Sequence, residues 1–554
     1  MDQRVDDHRS LIGRTPLGRI GIAAIISVPV IFLGYFFIYP LISITLRGLT
    51  VDGSLSLSVV GDVLSDPSLQ GVARFTFFQA VLSTLITVMT ALPAAWVFAR
   101  FTFPGKRFLE AASLVPFVLP TLVVGSAFLT LAGPRGVLGI DLTGTLWLIL
   151  IAHVFYNYAI VVRGVGAYWE RIDPRFEAAA RTLGASPLAA FRTVTLPLLR
   201  PAIASTSALV FLFSFTSFGV VLLLGDLNTT TIEVEIWRQT TAFLRLDVAS
   251  TLAVLQLVGI GVVLAAYGWF QRKTAVQFEH AVAAARPPRG SERWLVGVII
   301  GSMVGILGVP LVVLVGRSLL GPTGTFGIGN YTNLFTLPTT SAAFIEPAVA
   351  IKNSLVIAVA ASGIAIIMGV LASAGLTYAR RRTARVFDVF VMLPLGTSAV
   401  TIGFGFLVAL DWPIDLRTSL VLIPIAHALV AIPFVVRTAL PALSSIQHGL
   451  RESAATLGAS PWRTWWTIDL RLVGTAILVA AAFAFAISMG EFGATAFIAR
   501  PNSPTIPIAI FKLLGRPGAT PFGAAIALSS ILMAITGLSI MVIESLGTRT
   551  RREL

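Results

Sequence analysis

Glu491 stands in a run, 472–498, whose other residues are apolar, small or hydroxylic. A carboxylate in such a setting is costly unless it is paired or wetted, and so it marks a functional candidate. It could balance the charge of a cationic solute. It could equally sit in water at an outer mouth, or pair with Lys512 or Arg516. Phe492 and Gly493 follow it, and Ser217, Phe218 and Gly219 form a similar triplet in an earlier run, 197–224. The two rings could stack on an aromatic solute; the two glycines permit a helix break or a close approach. These six residues are the candidate solute pathway. His153 and His427 lie in two further apolar runs. A proton relay is one use for a histidine there; a hydrogen-bonded structural role is the more ordinary one. Arg163 and Arg437 fall near the ends of the same runs, where snorkelling and the helix dipole account for them.

Other chemistries are excluded. Cysteine is absent, which removes disulfides, thiolate metal sites and cysteine nucleophiles. Of the four lysines only Lys106 follows a glycine, and Arg107 comes next, so there is no Gly-x-x-x-x-Gly-Lys-Ser/Thr phosphate loop. The chain is not expected to hydrolyse ATP, or to carry a metal or other cofactor of its own.

The elements that must hold these residues follow from composition. The 554 residues are 56% apolar and 12% charged, against about 25% charged in soluble domains. That leaves too little charge to coat a globular surface and points to a lipid-facing one. Twelve apolar runs reach the length of a bilayer-spanning helix: 20–44, 75–99, 108–132, 144–167, 197–224, 248–270, 294–315, 353–378, 386–410, 418–440, 472–498 and 520–543. With the N-terminus inside, 29 of the 40 Lys and Arg fall on the inside segments, beginning with Arg4, Arg9 and Arg14. The net charge of +14 therefore fits membrane topology rather than nucleic-acid binding.

Sliding the chain by 274 residues aligns it with itself. Thr182 to Pro187 meets Thr456 to Pro461 with six identities; His153 meets His427, Arg163 meets Arg437, Pro120 meets Pro394, Phe218-Gly219 meets Phe492-Gly493, and Thr231-Ile232 meets Thr505-Ile506. Ser217 is the counterpart of Glu491. A repeat of six spans keeps both copies in one orientation. The expected fold is an all-α integral membrane protein of twelve transmembrane helices, as two parallel six-helix repeats with both termini cytoplasmic. The first half is 1–270, a cytoplasmic linker is 271–293, and the second half is 294–554.

The longest inside loops, 168–197 and 442–471, follow the fourth span of each half. Asp173-Pro174 offers an N-cap and a first-turn proline, and Gly184 a left-handed helix end. Ser186-Pro187 then starts a second short helix. The second loop begins with Gln447-His448 and keeps Gly458 and Ser460-Pro461. Each reads as two helices bent sharply at a glycine, and its recurrence favours a docking element.

These loops resemble the EAA loop of binding-protein-dependent ABC importers: Glu-Ala-Ala, three residues, Gly, nine residues, Ile, one residue, Leu-Pro. The first loop matches with Ala178, Ala179, Ala180, Gly184, Leu196 and Pro197, its glutamate being Glu177, one place early. The second matches with Glu452, Ser453, Ala454, Gly458, Ile468 and Leu470, and Arg471 stands where proline is usual. The fused two-half layout looks like the thiamine and ferric-iron importers. Ile151 to Asn157, Ser217 to Gly219 and Thr230 to Glu233 are more similar to the thiamine type, whereas Gly490 to Thr495 also resembles sulfate and molybdate permeases. The resemblance implies a prokaryotic inner-membrane permease whose bent loops dock on two copies of an ABC ATPase subunit, where ATP and magnesium bind. It also implies a periplasmic or lipid-anchored solute-binding protein as a second partner, with the bilayer as surroundings. Thiamine or a related cation is the expected solute, with ferric iron or an oxyanion as alternatives. Copurification with an ATPase separates this reading from an ion-coupled secondary carrier, and uptake lost on deletion separates it from a membrane scaffold.

Overall fold

The computed structural model describes residues 16–51, 54–55, 58–274, 285–321, 324–336, 346–500 and 503–553. Arg4, Arg9 and Arg14, and positions 275–284 of the expected linker, lie outside the described residues. Hydrocarbon offers no water to backbone groups, so a chain this apolar must satisfy them within helices. Among the described residues nine helices are long and apolar enough to cross a bilayer: Ala23–Gly48, Pro67–Arg100, Leu146–Trp169, Pro187–Phe215, Leu246–Gly268, Glu292–Ser318, Pro347–Tyr378, Leu422–Ser444 and Ala519–Ile543. The only strand ladder among them pairs Thr50–Val51 with Ser54–Leu55.

Three of the apolar spans are bent helix pairs. Lys106–Val118 meets Thr121–Ala132 at 98°, Arg381–Gly396 meets Ala399–Ala409 at 96°, and Trp462–Leu472 meets Gly474–Gly490 at 69°. Counting each bent pair as one span gives twelve. Proline explains the first bend. It has no N–H to give, and it drives the residue before it into extended backbone. Leu119, just before Pro120, has φ −62° and ψ 140°. At the matching place Pro394 lies in a tight turn, Leu393–Gly396, and Ser398 caps the next helix by accepting from the Thr401 N–H at 3.0 Å.

Two compact units divide the chain, and they cut it differently from the sequence repeats. One comprises 1–47, 331–517 and 531–554; the other comprises 48–330 and 518–530. In the first, Phe36 of the opening span packs on Phe406, and the Tyr35 hydroxyl donates to the Trp412 carbonyl at 3.2 Å. In the second, Glu292–Ser318 packs against Thr121–Ala132 and Pro67–Arg100. The boundaries at 270 and 294 thus mark sequence repeats, whereas each compact unit takes the opening span of the other half. Leu422–Ser444 and Leu146–Trp169 are the most buried spans. Outward, the helices expose Ile31, Phe77, Met89, Val312, Val359 and Met541, as a surface made for lipid does.

Candidate functional site

Both copies of the fifth span are interrupted, at matching residues. Leu196–Phe215 ends, Ser217 and Phe218 are irregular, and the helix resumes over Gly219–Leu224. Gly474–Gly490 ends, Glu491 and Phe492 are irregular, and a short helix follows over Thr495–Ile498. The six candidate pathway residues therefore all lie at the breaks. A break frees backbone groups that water cannot reach, and irregular backbone at membrane depth persists only where something re-satisfies it.

A histidine stands beside each break. His153, on Leu146–Trp169, has Nδ1 at 2.9 Å from Ser83 Oγ and Nε2 at 2.9 Å from Ser217 Oγ. His427, on Leu422–Ser444, has Nδ1 at 2.7 Å from Ser488 Oγ and Nε2 at 2.8 Å from Thr495 Oγ1. Its Nε2 also lies 3.2 Å from Glu491 Oε2. The Glu491 carboxylate accepts from the Ala494 N–H at 2.9 Å, the Thr495 N–H at 3.2 Å and the Thr495 hydroxyl at 2.9 Å. It thereby serves the short helix after it as an N-cap side chain would. The side chain beside its carboxylate is His427, where pairing with Lys512 or Arg516 was one expectation.

The aromatic and glycine pairs are also repeated. Phe218 packs on Trp237 at 6.4 Å between centroids, and Phe492 on Phe511 at 5.6 Å; Trp237 and Phe511 are 274 residues apart. A Cβ on Gly219 would fall 2.4 Å from Thr121 Oγ1, and one on Gly493 would fall 3.1 Å from Ala399 Cβ. Close packing against the bent pairs therefore sits at both glycines. Beyond the breaks, the Ile232 N–H donates to Thr76 Oγ1 at 3.0 Å and the Ile506 N–H to Ser354 Oγ at 2.8 Å.

The two loops have the expected bend. Asp173 caps Pro174–Thr182 by accepting from the Arg175 N–H at 2.8 Å. Gly184 has φ +93°, and Gly458, after His448–Thr456, has φ +78°. The Ala185 N–H donates to the Ala180 carbonyl and the Gly184 N–H to that of Arg181; Ala459 to Ala454 and Gly458 to Ala455 repeat the pattern. This is the Schellman closure, which needs a left-handed residue at that place. The second helix does not end within the loop but runs on into the fifth span, in the first half as Pro187–Phe215. It makes one turn, Pro187–Ala190 or Pro461–Thr464, then a π-helical stretch, Phe191–Thr195 or Trp465–Asp469, which runs on into Leu196 and Pro197 or into Leu470. Ala178, Ala179, Glu452 and Ser453 are exposed, Ala180, Ala454 and Ile468 half-buried. Glu177 is half-buried and bonded to Thr195.

One feature of the loops was missed in the sequence. Three apolar pairs stay exposed at matching positions: Phe176 and Leu450, Leu183 and Leu457, Leu188 and Trp462. Leu183 and Leu457 are 89% and 88% exposed, beyond what a core or a chance surface leucine needs. The 274-residue offset, applied to these positions, carries that signal. Among the described residues no group of three or more histidines and carboxylates could hold a metal ion.

Lipid-facing spans, paired breaks and paired bent loops define a multi-pass transport component. The family described as binding-protein-dependent transport system inner membrane component matches residues 68–276 and again 362–551. The chain belongs to that family: it is a permease subunit of an ABC importer, in the inner membrane. It is 28% identical over 513 residues to the thiamine transport system permease protein ThiP of Brucella abortus (strain 2308), covering 88% of this chain and 89% of that one. It is 30% identical over 506 residues to the protein of the same description in Escherichia coli (strain K12), covering 88% and 91%. The sulfate transport system permease protein CysT of Salmonella typhimurium is 36% identical over 172 residues, covering 30% of this chain and 62% of its own. A secondary carrier and a scaffold are thereby set aside.

Proposed function

We propose that this permease imports thiamine or a closely related ring-bearing cation. The observation that carries the reading is the likeness to thiamine permeases along 88% of the chain, whereas the likeness to the sulfate permease is confined to 30%. That shorter match favours a sulfate-type oxyanion as the second reading.

In this reading twelve spans cross the membrane and both termini are cytoplasmic. The loops around Gly184 and Gly458 dock on two copies of a separate ATPase, which binds ATP and magnesium, and the six exposed apolar side chains support such a docking. A periplasmic or lipid-anchored binding protein delivers the solute. The candidate pathway residues are Ser217, Phe218 and Gly219 at one break and Glu491, Phe492 and Gly493 at the other. Radiolabelled uptake of thiamine, ferric iron and sulfate in a deletion strain is the test. Thiamine uptake should fall and return with the gene; unchanged thiamine uptake, in cells with no second thiamine importer, sinks the substrate assignment. In the same cells an impermeant maleimide should reach Ser65→Cys, Asn228→Cys and Phe335→Cys from outside, and Leu183→Cys and Leu457→Cys only after lysis. Outside labelling at 183 or 457 overturns the topology.

A further inference from the structure

Each bent loop is tied back to the span that follows it by two side chains 18 residues apart. The two ties occupy matching positions in the repeat and differ in chemistry. In the first half the Thr195 hydroxyl donates to Glu177 Oε2 at 3.0 Å. At the positions 274 residues on, Arg451 Nε donates to Asp469 Oδ1 at 2.8 Å. The second pair is buried, with side-chain exposures of 10% for Arg451 and 2% for Asp469.

The ion pair has further partners. Asp469 Oδ2 accepts from the Tyr378 hydroxyl at 2.8 Å. The Arg451 guanidinium lies 5.3 Å from the centroid of that ring and donates to the Leu443 carbonyl at 3.4 Å. Leu443, Ile446 and Val473 form a small buried cluster, with Trp465 and Ile468 packed on it. Four segments meet in this clamp: His448–Thr456, Trp465–Asp469, Pro347–Tyr378 and Leu422–Ser444. Position 104, the counterpart of Tyr378, is a proline and can donate no such bond.

The two ties respond differently to load. Opening a buried ion pair strands a charge away from water, so the clamp holds or fails as a unit. Opening the first tie strands only the buried Thr195 hydroxyl, because the half-exposed Glu177 carboxylate keeps water and the nearby Arg100 guanidinium, and a lost neutral hydrogen bond costs less than a stranded buried charge. We propose that the second-half loop is the stiff arm of coupling, with Arg451 and Asp469 as its positioning residues, and that the first-half loop is the compliant arm. ATPase closure then reaches the spans mainly through the second loop. This inference rests on the importer reading above.

The test uses the full permease reconstituted with its ATPase and binding protein, and reads ATP hydrolysed per solute imported at equal permease content. Asp469→Asn, nearly isosteric, should raise that ratio by about fivefold or more. Thr195→Val should change it by less than about twofold, and Arg451→Lys, which keeps the charge, should retain most of the coupling. Arg451→Gln breaks the pair from its other end and decides the matter should Asp469→Asn fail to reach the membrane. Wild-type permease that stimulates no ATPase would refute the importer reading itself. Wild-type coupling that survives both disruptions of the pair, or is lost equally in Thr195→Val, overturns the clamp.

Discussion

At His427 two ring nitrogens serve three oxygens, those of Ser488, Thr495 and Glu491. At His153 they serve two hydroxyls, of Ser83 and Ser217. Removing a ring costs more where a buried carboxylate loses a donor than where only hydroxyls do. His427→Ala should therefore destabilise the purified permease by about 2–3 kcal/mol, and His153→Ala by about 1 kcal/mol. Thermal unfolding in detergent reads the order, and equal losses would contradict it. Replacing Glu491 by Ser copies the first half, and in that background the His427→Ala penalty should shrink towards the His153→Ala value. The repeat offset already places each histidine and each break residue in register. What it leaves open is that His427 would meet Glu491, because that contact depends on how Leu422–Ser444 packs on Gly474–Gly490, a tertiary fact with no local signal.

The bent loops belong to the scale of elements, and here local chemistry was sufficient. Asp173-Pro174, Gly184 and Ser186-Pro187 are cap, stop and restart signals that need no tertiary help, and the observed helix Pro174–Thr182 begins and ends where they direct. The bends at Pro120 and Pro394 were harder to read. Hydropathy sums apolar residues without regard to direction, so 108–132 and 386–410 read as straight spans although each turns by more than 90°. Among the described residues, nothing but the glycine's own chain neighbours lies within 4 Å of a Cβ added at Gly184 or Gly458. A substitution there acts through backbone strain alone, which in the left-handed region is about 1–2 kcal/mol for ordinary residues and greater for β-branched ones. Gly184→Val and Gly458→Val should therefore insert normally but lower both transport and permease-stimulated ATPase activity. Gly184→Asn and Gly458→Asn should retain most of both, since asparagine tolerates this conformation. Valine variants with full transport would show that the bend is not needed for coupling.

At the scale of the whole molecule, repeat and compact unit part company. The sequence repeats once, but residues 1–47 belong with 331–517 and 531–554, while residues up to 330 and 518–530 complete the other unit. Hydrophobic periodicity shows that a span exists; it says nothing about which neighbour the span will choose, so this exchange was not legible beforehand. It has a consequence for a chain cut in two. A fragment ending at position 279 would keep the opening span but lose Phe406 and Trp412, on which Phe36 and Tyr35 rest. A fragment beginning at 280 would keep Glu292–Ser318 but lose Thr121–Ala132 and Pro67–Arg100, its partners. Apolar helices without partners still insert, but their packing and buried hydrogen bonds go unmade. Each fragment produced alone should therefore be degraded or polydisperse in detergent. Produced together, the two should copurify, because each compact unit needs chain from both, and should restore uptake in a deletion strain. Either fragment alone giving a monodisperse species with a thermal transition as high as the intact permease would show that the halves fold as independent bodies and that the exchange of opening spans contributes nothing to stability.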